Sequence, residues 1–156
     1  MLVLNPAAGN HGRPGGPLRT LLIAAEPDLA EAFLASAART PGPEVEVTAR
    51  VDSYPAEPDL SAIAESVRPD VAAVDVAGDF AAACRVIRSL AAAHPEIHSI
   101  ALHRLNDRST LMQVLRMGAT EFLHAPFLPA ELRAAAARIR RLRRGSERPR
   151  KAGVLL

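Results

Sequence analysis

The sequence predicts an α/β protein in which five short strands alternate with five helices around one parallel sheet. Three observations carry that expectation. Short apolar runs alternate with stretches of helical spacing from residue 18 to residue 143. The third apolar run, residues 71–76 (VAAVDV), has no polar face to give to water, as expected of a strand covered by helices on both sides. Pro, Gly or Asp punctuates most junctions between the runs.

Taken in order, residues 5–17 are rich in Pro and Gly, and residues 1–17 are expected to be a flexible leader. Its glycines precede the first strand, so they do not form a phosphate loop, which sits between a strand and a helix. Residues 18–24 (LRTLLIA) form the first strand. Residues 28–39 continue at helical spacing through Leu29, Ala32 and Phe33, and Thr40-Pro41-Gly42-Pro43 stops that helix. Residues 44–51 alternate Val45, Val47, Ala49 and Val51 with polar neighbours and form the second strand. Residues 59–67 are a short helix with Asp59 as candidate cap.

The third strand, residues 71–76, leads to a helix over 79–94, with Val86, Ile87 and Leu90 inward. Residues 99–102 are the fourth strand. Residues 107–117 are a helix capped by Asp107 and stopped by Gly118. Residues 121–123 are the fifth strand, and residues 129–143 the last helix, with Pro129 suited to its first turn. Right-handed crossovers place helices on both faces, which gives a flavodoxin-like (βα)5 three-layer sandwich of strand order 2-1-3-4-5. Ligands of such sheets sit beyond the carboxyl ends of the strands. The residues there are Ala24, Ala25, Glu26, Asp75, His103 and Ala125.

Composition narrows function. Aromatic residues are 3% of the chain, too few for a base-stacking platform. One cysteine, Cys84, excludes an intramolecular disulfide and is expected to be a packing residue. No run is long and apolar enough for a membrane span, so a cytoplasmic protein is expected. The net charge of +2 averages two unlike parts. Residues 138–151 carry eight bases and one acid, whereas residues 1–137 carry 11 bases and 16 acids. The run RIRRLRR at 138–144 is expected to be a solvated helix end favoured by the helix dipole. The sharper alternative is a nucleic-acid or membrane-surface binder. Of the 19 bases only Lys151 is a lysine. His103, His124 and Asp75 are of the right types for a metal, yet no element carries them at ligand spacing, so rim histidines and no metal are expected.

Three segments together resemble the receiver (CheY-like) domain of response regulators. Leu21-Leu22-Ile23-Ala24-Ala25-Glu26-Pro27 is similar to the receiver's opening strand with its acidic pair. Pro69-Asp70-Val71-Ala72-Ala73-Val74-Asp75 is similar to the strand that ends in the phosphoacceptor. Gly118-Ala119-Thr120-Glu121-Phe122-Leu123-His124-Ala125-Pro126-Phe127 is similar to the segment carrying the receiver's lysine and cis-proline. The resemblance implies that Asp75 is the acceptor position and that Pro126 is preceded by a cis bond. It implies Mg²⁺ held by acids, a lysine that neutralises the phosphoryl group, and a hydroxyl that reports it. In this chain the acid pair falls on Ala24 and Ala25, with Glu26 one place later. The lysine falls on Ala125 and the hydroxyl on His103. Methyl groups cannot ligate Mg²⁺, so a degenerate receiver is expected, with no cofactor, no enzymatic activity and a vestigial Asp75. The alternative is a working response regulator phosphorylated at Asp75.

In receivers, the face built by the fourth helix, fifth strand and fifth helix is the usual dimer surface. The resemblance therefore implies a homodimer or docking partner here, with Met112, Met117 and Phe122 as candidate contacts. Residues 144–156 read as a basic linker and the first strand of a further domain. That arrangement is similar to the TadZ/CpaE type of pilus-assembly ATPase, which implies pilus-assembly components as partners. No phosphate-loop lysine motif is present, so these residues support no ATPase activity.

Overall fold

The computed structural model describes residues 2–4, 16–39 and 44–147. The expected leader over residues 5–15, the stop at 40–43 and the linker and strand over 148–156 lie outside the described residues. The elements run β1 (Leu2–Leu4), β2 (Leu18–Ile23), α1 (Pro27–Arg39), β3 (Val45–Val51), α2 (Glu57–Val67), β4 (Val71–Asp75), α3 (Phe80–Ala93), β5 (His98–His103), α4 (Arg108–Met117), β6 (Glu121–His124) and α5 (Pro129–Glu147). They form one sheet of order β1-β3-β2-β4-β5-β6. The five parallel strands have the expected order, since β3-β2-β4-β5-β6 is 2-1-3-4-5 counted from Leu18.

The sixth strand is a correction. Leu2, Val3 and Leu4 belong to the sheet, paired antiparallel with Val51, Arg50 and Ala49. Three apolar residues are too few to announce a strand, but they cover part of the β3 edge, which would otherwise leave backbone groups unpaired.

The sheet divides two apolar cores. On one face, Leu18, Leu22, Val71, Ala73, Ile100, Leu102 and Leu123 meet α1 and α5 through Phe33, Leu132 and Ile139. Phe33 and Phe127 pack edge to face there, centroids 5.7 Å apart. On the other face, Leu21, Ile23, Ala72, Val74 and Ala101 meet α2, α3 and α4 through Leu60, Ile87, Leu90 and Val114. Every residue of β4 is buried, which is why that strand lacks a polar face.

β3 does not alternate throughout. Thr20 pairs with Val47 but Leu21 pairs with Ala49, so Thr48 is an extra residue. One inserted residue flips the side-chain phase. Val45 and Val47 therefore join the α1/α5 core, whereas Ala49 and Val51 join the other. α2 also begins earlier than its candidate cap: Ala56 occupies the cap position without a side-chain bond, and Asp59 lies inside the first turn. There its charge still suits the positive end of the helix. Asp79, by contrast, caps α3 by accepting from the Ala82 N–H, and Asp107 caps α4 by accepting from the Ser109 N–H. Gly118 ends α4 at φ 117°, where a side chain would be strained.

Candidate functional site

β4 delivers Asp75 to the carboxyl edge of the sheet as its last residue, opposite Leu102 of β5. Its side chain is buried. Oδ2 accepts from the Glu26 N–H at 2.9 Å. Oδ1 accepts from the Ala77 N–H at 2.7 Å and the Gly78 N–H at 3.2 Å. The carboxylate thus joins the loop after β2 to the loop after β4. Charge-assisted bonds of this kind are among the stronger ones in proteins.

Tyr54, in the loop after β3, covers the same corner. Its hydroxyl donates to the Asp75 carbonyl at 2.6 Å and accepts from the Asp79 N–H at 3.3 Å. Burial pushes the Tyr54 hydroxyl up to about 12, with the charges of Asp75, Asp79 and Glu26 adding to it, so it remains a donor at neutral pH. The packing is close: a Cβ on Gly78 would stand 3.0 Å from Tyr54 Oη and 3.3 Å from both Ala25 Cβ and Asp75 Oδ2.

A cation stands at this edge, in a place the family pattern does not mark. Arg104, just after β5, forms a bidentate pair with Asp28 of α1 at 2.6 and 2.8 Å. It also lies 3.8 Å from Glu26. The hydrogen bond from Arg104 holds the Asp28 carboxyl down at about 2. Neither Arg104 nor Tyr54 was detectable from sequence, because each sits in a loop with no motif spacing.

The remaining expected positions lie around this corner and in the core beside it. Ala24 is buried in the α1/α5 core, and Ala125 packs against that core. Ala25 lies beside Gly78. The Ala125-Pro126 bond is cis, as expected of Pro126. His103 and His124 are neighbours in register. His103 packs edge-on to Phe122, centroids 6.2 Å apart, and its Nδ1 is buried with no bonding partner among the described residues. His124 Nδ1 lies 3.1 Å from the Ala125 carbonyl oxygen.

The donor set does not fit a receiver's Mg²⁺. Both Asp75 oxygens face backbone N–H groups, Ala24 and Ala25 present methyls, and Glu26 turns to Arg104. Among the described residues no three His, Cys, Asp or Glu side chains are grouped to hold a metal.

The candidate contact face is partly apolar. Met112 and Leu115 of α4 are exposed, with Leu105 just before the helix. Met117 and Phe122 are half-buried against the core beneath. Arg138 borders this face in a bidentate pair with Glu121 at 2.9 and 2.7 Å.

The basic run is less free than expected. Arg140 pairs with Glu44 and donates to the Gly16 and Glu44 carbonyl oxygens. Arg143 pairs with Asp70 at 2.9 Å. Arg141 and Arg144 are exposed. Arg143 and Asp70 also line a cleft of about 320 Å³ at the amino end of the sheet, together with Arg68, His94 and Glu96. Among the described residues no helix is long and apolar enough to cross a membrane.

No family model and no curated protein matches the sequence. Solved structures do. A pilus assembly-related protein from Burkholderia pseudomallei is 17% identical at TM-score 0.67, over 85% of this chain and 96% of that one. The CheY-like protein TadZ from Pseudomonas aeruginosa is 15% identical at TM-score 0.65, over 78% and 98%. The receiver domain of the response regulator NarL from Mycobacterium tuberculosis is 16% identical at TM-score 0.64, over 81% and 98%. At these identities the likeness establishes the fold, a CheY-like receiver fold, with a sixth strand added at one edge.

Proposed function

We propose that this chain is a degenerate receiver that works as a protein-interaction module, by self-association or docking, without regulated phosphorylation of Asp75. One observation carries the reading. The carboxylate that a receiver offers to a phosphoryl donor is here buried and bonded to three backbone N–H groups. Methyl groups at Ala24, Ala25 and Ala125 stand where the acids and the ammonium would be, so the site lacks the charges that stabilise a transferring phosphoryl group. No enzymatic activity is part of this reading.

The α4 face, with Met112, Met117 and Phe122, is the contact surface in this reading, and a second copy of the chain is its occupant. Likeness to proteins described as pilus assembly-related and as TadZ supports a place in a pilus-assembly apparatus, and the reading keeps the expected cytoplasmic location. The Arg run gives a nucleic-acid reading little support, because Arg138, Arg140 and Arg143 are paired within the domain.

Sedimentation velocity of the full chain tests the proposal, with and without beryllofluoride and Mg²⁺. The expected result is a concentration-dependent dimer that ignores both additions and that Met112→Glu weakens at least tenfold. Association that requires beryllofluoride and Mg²⁺ would establish the working response regulator instead.

A further inference from the structure

Arg104 connects two segments that lie on opposite sides of Asp75. Its own segment extends from β5, which pairs with β4 so that Leu102 lies opposite Asp75. Its partner Asp28 is in the first turn of α1, two residues beyond Glu26, whose N–H bonds Asp75 Oδ2. The Arg104–Asp28 pair therefore closes a ring over the carboxyl edge: β5, β4, Asp75, the Glu26 backbone, Asp28, and back through the guanidinium. The pair is a two-point fork, which fixes direction as well as distance. Glu26 adds a second carboxylate at 3.8 Å.

Three residues beyond Arg104 the chain is held again, at Asp107. Among the described residues Leu105 is the most exposed of the large apolar ones, at 67%. Asp107 then accepts from the Ser109 N–H at 3.3 Å and from the Thr110 hydroxyl at 2.5 Å, which fixes the first turn of α4. Between the fork and the cap lie only Leu105 and Asn106.

We propose that Arg104 is a strap that holds the loop from β5 into α4 in one position against α1, a built-in constraint on where α4 begins. This rests on the interaction-module reading and deepens it. There, a fixed charge pair sets where the α4 face begins, with no phosphoryl group involved. Arg104 is a positioning residue and touches no reacting atom. The hydrogen bond from Arg104 keeps Asp28 charged down to about pH 2, so the strap persists through mild acid.

Hydrogen exchange by mass spectrometry on the full chain tests the strap. Arg104→Glu and Asp28→Arg should each speed amide exchange in peptides covering residues 103–112 by about twofold to fivefold, the range for an exposed ion pair. Exchange in β4 should stay unchanged. The double variant, Asp28→Arg with Arg104→Glu, re-forms the pair with its charges reversed, though Glu26 then repels residue 104, and should exchange more slowly than either single variant. Unchanged exchange in the single variants would overturn the proposal, as would a double variant that is not slower than each single one. The readout needs no phosphoryl donor. A phosphoryl adduct at Asp75 would defeat the interaction-module reading and leave this result standing.

Discussion

Replacing Asp75 separates a structural hub from a charged catalytic cluster by the sign of the stability change. In Asp75→Asn the amide oxygen can still accept from Ala77 and Gly78, but as a neutral acceptor, and such bonds are roughly half as strong. The amide NH₂ then faces the Glu26 N–H, donor against donor, across the former 2.9 Å bond. Losing that bond, with both facing donors unpaired, costs about 1–3 kcal/mol, and two weakened bonds add about 1 kcal/mol. The expected loss is about 2–4 kcal/mol. Asp75→Ala orphans all three donors and should lose about 3–5 kcal/mol. A cluster of acids poised for Mg²⁺ behaves oppositely, because neutralising one member relieves repulsion among the others. Ala24 and Ala25 remove that repulsion here. Urea unfolding measures the difference, read at constant slope. An Asn variant as stable as wild type, or more stable, would refute the hub.

Gly118→Ala should cost about 2–3 kcal/mol by the same assay, since φ is 117° and the new Cβ would stand 2.7 Å from Ala91 Cβ. His98 gives a pH signature. Burial, with the nearby Arg143 charge adding, holds its pKa below 6.5 in the folded state, so the unfolded chain binds the proton more readily. Its contribution to stability is complete above pH ~6.5 and is lost as pH falls through the lowered native value. The urea midpoint of His98→Gln should therefore fall less between about pH 7.5 and 5.5 than that of wild type, and parallel curves would contradict this. Phe33→Ala, which removes a fully buried ring and its edge-to-face partner contact, should cost about 3–5 kcal/mol in the same titration.

The strands and helices between Leu18 and Arg143 were legible because their periods differ and because Asp79, Asp107 and Gly118 mark ends with their own chemistry. Thr48 was not. A bulge is a property of two strands in register, and a perfect alternation along one strand conceals it. Leu2–Leu4 escaped for the opposite reason, since a three-residue strand exists only through its pairing with β3. The site was half legible. Strand ends placed Asp75 and the three alanines at the carboxyl edge, whereas their roles, and the cis bond before Pro126, followed only from the receiver resemblance. Arg104 lies one residue past a strand end, and its role depends on Asp28, which is 76 positions away. Tyr54 acts through a backbone carbonyl that no pattern of side chains predicts. The arginine run looked free because its partners, Glu44, Asp70 and Glu121, come from separate elements.

Whether Asp75 takes up a phosphoryl group is decided most directly by intact-mass spectrometry of the full chain after incubation with acetyl phosphate and Mg²⁺. Peptide mapping across Asp75 locates any added mass. A buried, backbone-bonded Asp75 without its acid pair or lysine should show no Mg²⁺-dependent gain of a phosphoryl mass, and wild type and Asp75→Asn should give the same pattern of adducts. A stoichiometric, Mg²⁺-dependent adduct on Asp75, absent from the variant, would show instead a working phosphoacceptor.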